Sequence, residues 1–171
     1  MSETAVARIQ RSIVSTGLAY PALVAAFEGA LGRWDPETAT RLIQRQAPWS
    51  EVERQVDRAA GQTGLMIIAH VNQGVLLSLS GTIKQCSLYL VGNPAIADRI
   101  LNIDIRACLY VPFRVCLYDD GDVNGARIAY DRPSSFLGAL DRPELLAIGT
   151  LLDRKIDEVV TVIRQRQTAT P

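Results

Sequence analysis

Histidine is almost missing from this chain. His70 is the only one among 171 residues, so any mechanism that needs two imidazoles is excluded. Cysteine is scarce as well: Cys86, Cys108 and Cys116 are the whole set. The count is odd and no pair has Cys-x-x-Cys spacing, which argues against a disulfide framework, a zinc site or a thioredoxin-like motif. No Cys-x-x-Cys-His occurs either, so covalent haem attachment is not indicated. Net charge is absent, with 18 Lys plus Arg against 18 Asp plus Glu. A balanced chain has no overall pull toward nucleic acid or an anionic bilayer, and neither is expected as a partner. There is no apolar run of the length that spans a membrane. The start, Met1 to Val6, has no basic segment leading into an apolar one, so no secretion signal is read there. A reducing cytoplasm is the expected setting.

What the chain does have is apolar content. At 48% hydrophobic over 171 residues, it can bury a real core and is expected to form a single domain spanning 1–171. Val6 to Val14 reads as a first strand. Asp35-Pro36-Glu37 has the cap-then-proline form of a helix start. Ser50 to Glu53 reads as a capping box, with Val52, Val56, Ala59 and Ala60 on one helical face after it. Pro21 to Ala60 is therefore mostly helical, ending at Gly61 to Gly64. Strand character follows at Leu65 to Val71, Ile83 to Val91, Phe113 to Tyr118 and Ala126 to Tyr130. Asn124-Gly125 is a hairpin cue, since both residues tolerate positive φ. Asp141 to Glu144 reads as another capping box. After it Leu145, Ile148, Leu152, Ile156, Val159, Val160 and Ile163 recur at helical spacing, with Asp153, Arg154, Asp157 and Glu158 elsewhere on the circumference. Residues after Gln165 are expected to fray.

This order describes an α+β fold. A mainly antiparallel sheet of four to six strands is covered on one face by the long C-terminal helix, with a helical N-terminal extension or insertion. The other face is expected to pair in a homodimer.

The stretch from Tyr89 to Tyr130 is the most specific. A strand runs into the corner Gly92-Asn93-Pro94, a short helix carries Ala97, and Asp104 precedes a return strand opening with Val111-Pro112-Phe113-Arg114. In these residues the chain resembles the domain-of-unknown-function family numbered 302, over about residues 50–165. That resemblance implies a small dimeric α+β protein shaped like the TATA-binding-protein fold, and it brings no known chemistry. The DNA binding of the shape analogue does not follow from shape. The helical segment Arg33 to Ser50 looks longer than in short family members and reads as an insertion.

Several residues invite a functional reading. Asn93 and Pro94 open a helix whose first-turn N–H groups could hold an anion, with Arg99, Arg106 or Arg114 as the basic group; the plainer reading makes Asn93 a cap. Taken as one strand, Cys108 to Tyr118 alternates. Leu109, Val111, Phe113, Val115 and Leu117 face the core, and Cys108, Tyr110, Pro112, Arg114, Cys116 and Tyr118 share a face suited to a pocket or dimer interface. Pro112 suggests an edge strand or a bulge. Asp120, Asp122 and Asn124, with Asp131 at the twelfth position, match calcium-loop spacing, but flanking strands favour a hairpin turn. His70 could ligate a metal or haem or act as a base, and the plainer reading is a structural histidine. Cys86 or Cys116 could be reactive thiols, the plainer reading being inert buried cysteine. Ser134 and Ser135 are expected to cap a short helix at Phe136.

The leading expectation is a non-catalytic binding module. A small ligand or cofactor, anionic in one version, sits near Gly92-Asn93-Pro94, with Asn93, Arg114, His70, Cys116 and Tyr118 as contacts. One alternative is a redox protein or enzyme using His70 with Cys86 or Cys116, with haem or another metal. The other is a protein-interaction role with no small ligand.

Overall fold

The computed structural model of the chain describes residues 6–168, the last three by backbone alone. Residues 1–5 and 169–171, which carry most of the leader reading and the end of the frayed tail, lie outside the described residues. Six strands form one sheet: β1 (Arg11–Ser15), β2 (Gly32–Arg33), β3 (Met66–Val71), β4 (Gln85–Gly92), β5 (Phe113–Asp119) and β6 (Arg127–Asp131). Their order is β1-β6-β5-β4-β3-β2. Every pairing is antiparallel except the short parallel contact of β2 with β3. Among the described residues seven α-helices accompany them: α1 (Tyr20–Ala30), α2 (Pro36–Gln44), α3 (Trp49–Ala59), α4 (Gln73–Leu77), α5 (Pro94–Ile103), α6 (Pro133–Gly138) and α7 (Pro143–Thr168). The α+β reading with a long C-terminal helix holds.

Alternation along the strands sorts the sheet into two faces. Tyr89, Val91, Phe113, Val115, Leu117, Ile128 and Tyr130 point inward and are buried. Leu23 and Phe27 of α1 and the apolar stripe of α7 meet them in one core. All seven stripe residues of α7 are buried, each stabilising the fold by roughly 1.5–3 kcal/mol relative to exposure. The opposite, open face, with Ile13, Leu88, Leu90, Arg114, Cys116 and Ala129, is half-buried to exposed. Among the described residues no helix is long and apolar enough to cross a membrane.

Local expectations fared unevenly. Asp35 caps α2, its carboxylate accepting the Glu37 and Thr38 N–H groups at 3.0 Å each. Ser50 caps nothing: α3 begins at Trp49 after Pro48, because proline's fixed φ already suits the residue entering a helix. Asp141 likewise lies one residue too early. It is left-handed (φ 56°), and Arg142 supplies the carbonyl that accepts the Leu146 N–H. The first strand is shorter than Val6 to Val14 and starts at Arg11. The β5–β6 connection is a longer loop in which Gly121 and Gly125 alone take positive φ, so Asn124-Gly125 is not a two-residue turn. Residues Cys108 to Pro112 are not strand: Ile105–Leu109 is a 3-10 turn, and Leu109 is 79% exposed. Pro112 stands just before β5, where its missing N–H costs the ladder nothing. That explains how it can precede a central strand instead of marking an edge. α7 continues to Thr168, three residues past Gln165.

One irregularity shapes the site. The β3–β4 register shifts between Ile67 and Ala69, so Ile68 is an extra residue in β3. Such a bulge re-aims the side chain it carries.

Candidate functional site

The corner after β4 is built from three consecutive residues with different roles. At Gly92 the chain passes so close to its neighbours that an added Cβ would stand 3.3 Å from Cβ of Pro112 and 4.0 Å from Cγ1 of Ile68. Asn93 is the N-cap of α5, in extended conformation. Its Oδ1 accepts from the Ala95 N–H at 2.9 Å and the Ile96 N–H at 3.2 Å, while its Nδ2 donates to the Gly64 carbonyl at 2.9 Å. Pro94 has no N–H. The next amide, Ala97, donates to the Asn93 carbonyl at 2.9 Å. Each donor of the first turn is thus engaged or absent, and the helix start is closed to an anion. The cap reading of Asn93 replaces the anion reading.

Against this corner lies a cavity of about 220 Å³. Val91, Gly92 and Phe113 form its strand wall, and Ile96, Ala97 and Ile100 of α5 form another side. Ile68 reaches it from the bulge, Val111 and Pro112 from the segment before β5, and Leu152 from α7. No titratable side chain lines it, and its one polar side chain, Asn93, has its amide committed as described. The wall offers almost only carbon.

The other candidates are elsewhere. Arg114, Cys116 and Tyr118 gather on the open face, around a shallow depression of about 400 Å³ that also touches Ile13 and Leu88. Cys108 is exposed on its 3-10 turn, and Tyr110 stacks on Phe136 at 5.3 Å. Arg99 is exposed on α5. Arg106 grips Asp104 at 2.6 Å, and its hydrogen bonds hold that carboxyl at about 2.

His70 is stacked on Tyr89, ring centroids 4.4 Å apart. The two are cross-strand partners, and Tyr89 points into the core. Its hydroxyl donates to Glu28 at 2.9 Å; burial, with that carboxylate beside it, pushes the phenol strongly up. Cys86 and Cys116 belong by alternation to the opposite face of the sheet, so His70 has neither cysteine as a neighbour. Burial also pushes the Cys116 thiol up, which disfavours the reactive thiolate. In the calcium-like loop, Asp120 and Asp122 are both paired with Arg127. Asn124 donates to Asp122 at 2.8 Å, and Asp131 pairs with Arg11 at 2.7 Å. These oxygens are spent on protein cations and amides.

Ser134 and Ser135 are not caps. Asp153, only 6% exposed, reaches from α7 to accept the Ser134 N–H at 3.2 Å and its hydroxyl at 2.5 Å. A carboxylate read as lying off the apolar stripe of α7 thus closes the start of α6. Ile68 was the main pocket residue that pattern reading missed. A bulge leaves no periodic signal.

The protein is thus an α+β domain with one helix-covered sheet face, one open face and a carbon-lined pocket at a strand-to-helix corner. It belongs to the family described as Domain of unknown function DUF302, whose pattern it matches over residues 40–163. That match begins inside the Arg33 to Ser50 segment. A crystal structure of an uncharacterized conserved DUF302 protein from Bacillus stearothermophilus is similar in fold. It has a TM-score of 0.64 and 15% identity, over 90% of this chain and 98% of that one. No curated protein matches the chain.

Proposed function

We propose that this protein is a non-catalytic binding module for a small molecule whose bound part is apolar. The observation that carries the reading is the cavity at Gly92-Asn93-Pro94, with carbon on its walls and the Asn93 amide already satisfied. A polar or charged group placed there would lose its hydration without gaining a partner, whereas an apolar group would only gain. The lining supplies no general acid, base or nucleophile, which supports binding over catalysis. The test is titration with the neutral fluorophore N-phenyl-1-naphthylamine. Saturable enhancement is expected for the native protein and its loss for Ala97→Phe, which places a ring in the pocket while leaving α5 helical. Absence of saturable binding, or a variant that folds and binds as well as the native chain, overturns the reading.

Self-association is a second reading, favoured by the open sheet face, where Ile13 and Val71 are more than half exposed (56% and 54%). Light scattering during size-exclusion chromatography decides it: a monomer at tens of micromolar rejects the pairing.

A further inference from the structure

Next to the apolar pocket is a second cavity of about 360 Å³, and the two share Pro112 and Phe113 as a common wall. The first alone is below the usual size of a ligand site, about 300–1,000 Å³, and the pair falls within it. The second differs in one respect that matters. Beside apolar Leu90, Leu109 and Phe136 it is lined by Arg114. Nearly every other arginine around the sheet and its loops is tied down: Arg11 by Asp131, Arg33 by Glu28, Arg127 by Asp120 and Asp122, Arg132 by Asp153 and Asp157. The Arg114 side chain has neither an ion pair nor a hydrogen bond among the described residues. The carboxylate lining this cavity, Asp131, is held by two contacts from Arg11, at 2.7 and 3.2 Å. Arg11, Arg114 and Asp131 together leave one uncompensated positive charge.

Resting on the reading of the first pocket, we infer that the ligand is an amphipathic carboxylate: an unbranched apolar chain held between Ile68, Gly92 and Ala97, passing Pro112, with its head on Arg114. A guanidinium fork pairs a carboxylate with two parallel bonds. An added side chain at Gly92 would crowd Pro112, the residue that borders both cavities. At roughly 30 Å³ for a group the size of water, the first cavity takes about seven methylenes. A chain near eight carbons therefore fills it and still brings its head to the second.

The test displaces N-phenyl-1-naphthylamine with a series of straight-chain carboxylates and with 1-octanol. Affinity should rise about fourfold per methylene up to octanoate, as expected for burying each CH₂, then level off. Octanoate should bind about tenfold tighter than octanol. Arg114→Gln, an exposed position whose change leaves the core alone, should abolish that preference without altering octanol, and Arg114→Lys should retain part of it. Equal affinities for octanoate and octanol in the native protein, or an Arg114→Gln variant that keeps the preference, overturn the carboxylate assignment while naphthylamine binding keeps the pocket. If naphthylamine itself does not bind, the pocket reading fails first and the inference falls with it.

Discussion

Asn93 is where a structural and a ligand role part most cleanly. Replacing it with Ala removes an acceptor for two α5 amides and the donor to the Gly64 carbonyl. Loss of the cap costs about 1 kcal/mol, within a range of about 0.5–2. The Gly64 bond contributes about 1 kcal/mol more. It ties α5 to a turn whose Thr63 carbonyl also accepts from Lys155 of α7 at 2.6 Å, so the turn has little freedom to relax. The expected loss is about 2 kcal/mol. Asn93→Asp keeps the acceptor, with a charge that suits a helix start, and loses only the donor. It should cost about 1 kcal/mol. Urea denaturation of the three proteins, fitted with a common slope, measures this directly. Naphthylamine affinity should stay within twofold throughout. A loss below about 0.5 kcal/mol for Asn93→Ala, accompanied by loss of probe binding, would refute the cap and make Asn93 a ligand group.

Two further outcomes are expected. Tyr130 is buried and its hydroxyl donates to Asp157 at 2.7 Å; burial first, then that carboxylate, push the phenol from its ordinary 10 up to about 12. A raised phenol pKa gives stability that is complete below pH 10 and is lost as pH climbs toward 12, about 2 kcal/mol over that window. Urea midpoints from pH 8 to 12 should therefore fall more steeply for the native chain than for Tyr130→Phe, and equal slopes would refute the linkage. Gly92→Ala puts a methyl 3.3 Å from Pro112; it should cost about 1 kcal/mol of stability, the low end for overpacking, and weaken naphthylamine binding several-fold, with undiminished binding showing that the pocket lies away from Gly92.

Much of the fold was legible because its signals are periodic. The α7 stripe reads at helical spacing, and Phe113, Val115 and Leu117 alternate as a strand should; all are buried. Misreadings came where a tertiary contact took over a local task. Ser134 looks like a cap, yet α6 takes its acceptor from Asp153, on a helix 19 residues away. Alternation was also carried too far back, through Cys108 to Pro112, because nothing in the apolar pattern records where a strand begins. The same limit applies to His70 and the cysteines. Their types suggested one redox centre, but which face each occupies depends on register. The bulge at Ile68 decides that His70 faces the core side beside Tyr89.

The corner Gly92-Asn93-Pro94 suggested an anion site because a helix starts there, and the same three residues explain why it is not one. A helix start attracts anions only through N–H groups left without partners. Pro94 deletes the first of them, and Asn93 accepts the next two through its side chain and the following one through its carbonyl. Had residue 93 been alanine or valine, those two amides would have lost the side-chain acceptor that now engages them. Asparagine instead keeps the wall apolar and spends its remaining donor on Gly64. The positive charge that a head group would need is supplied past Pro112, by Arg114. In the proposed binding mode tail and head selection rest on separate residues, and single substitutions at Ala97 and Arg114 should change them independently.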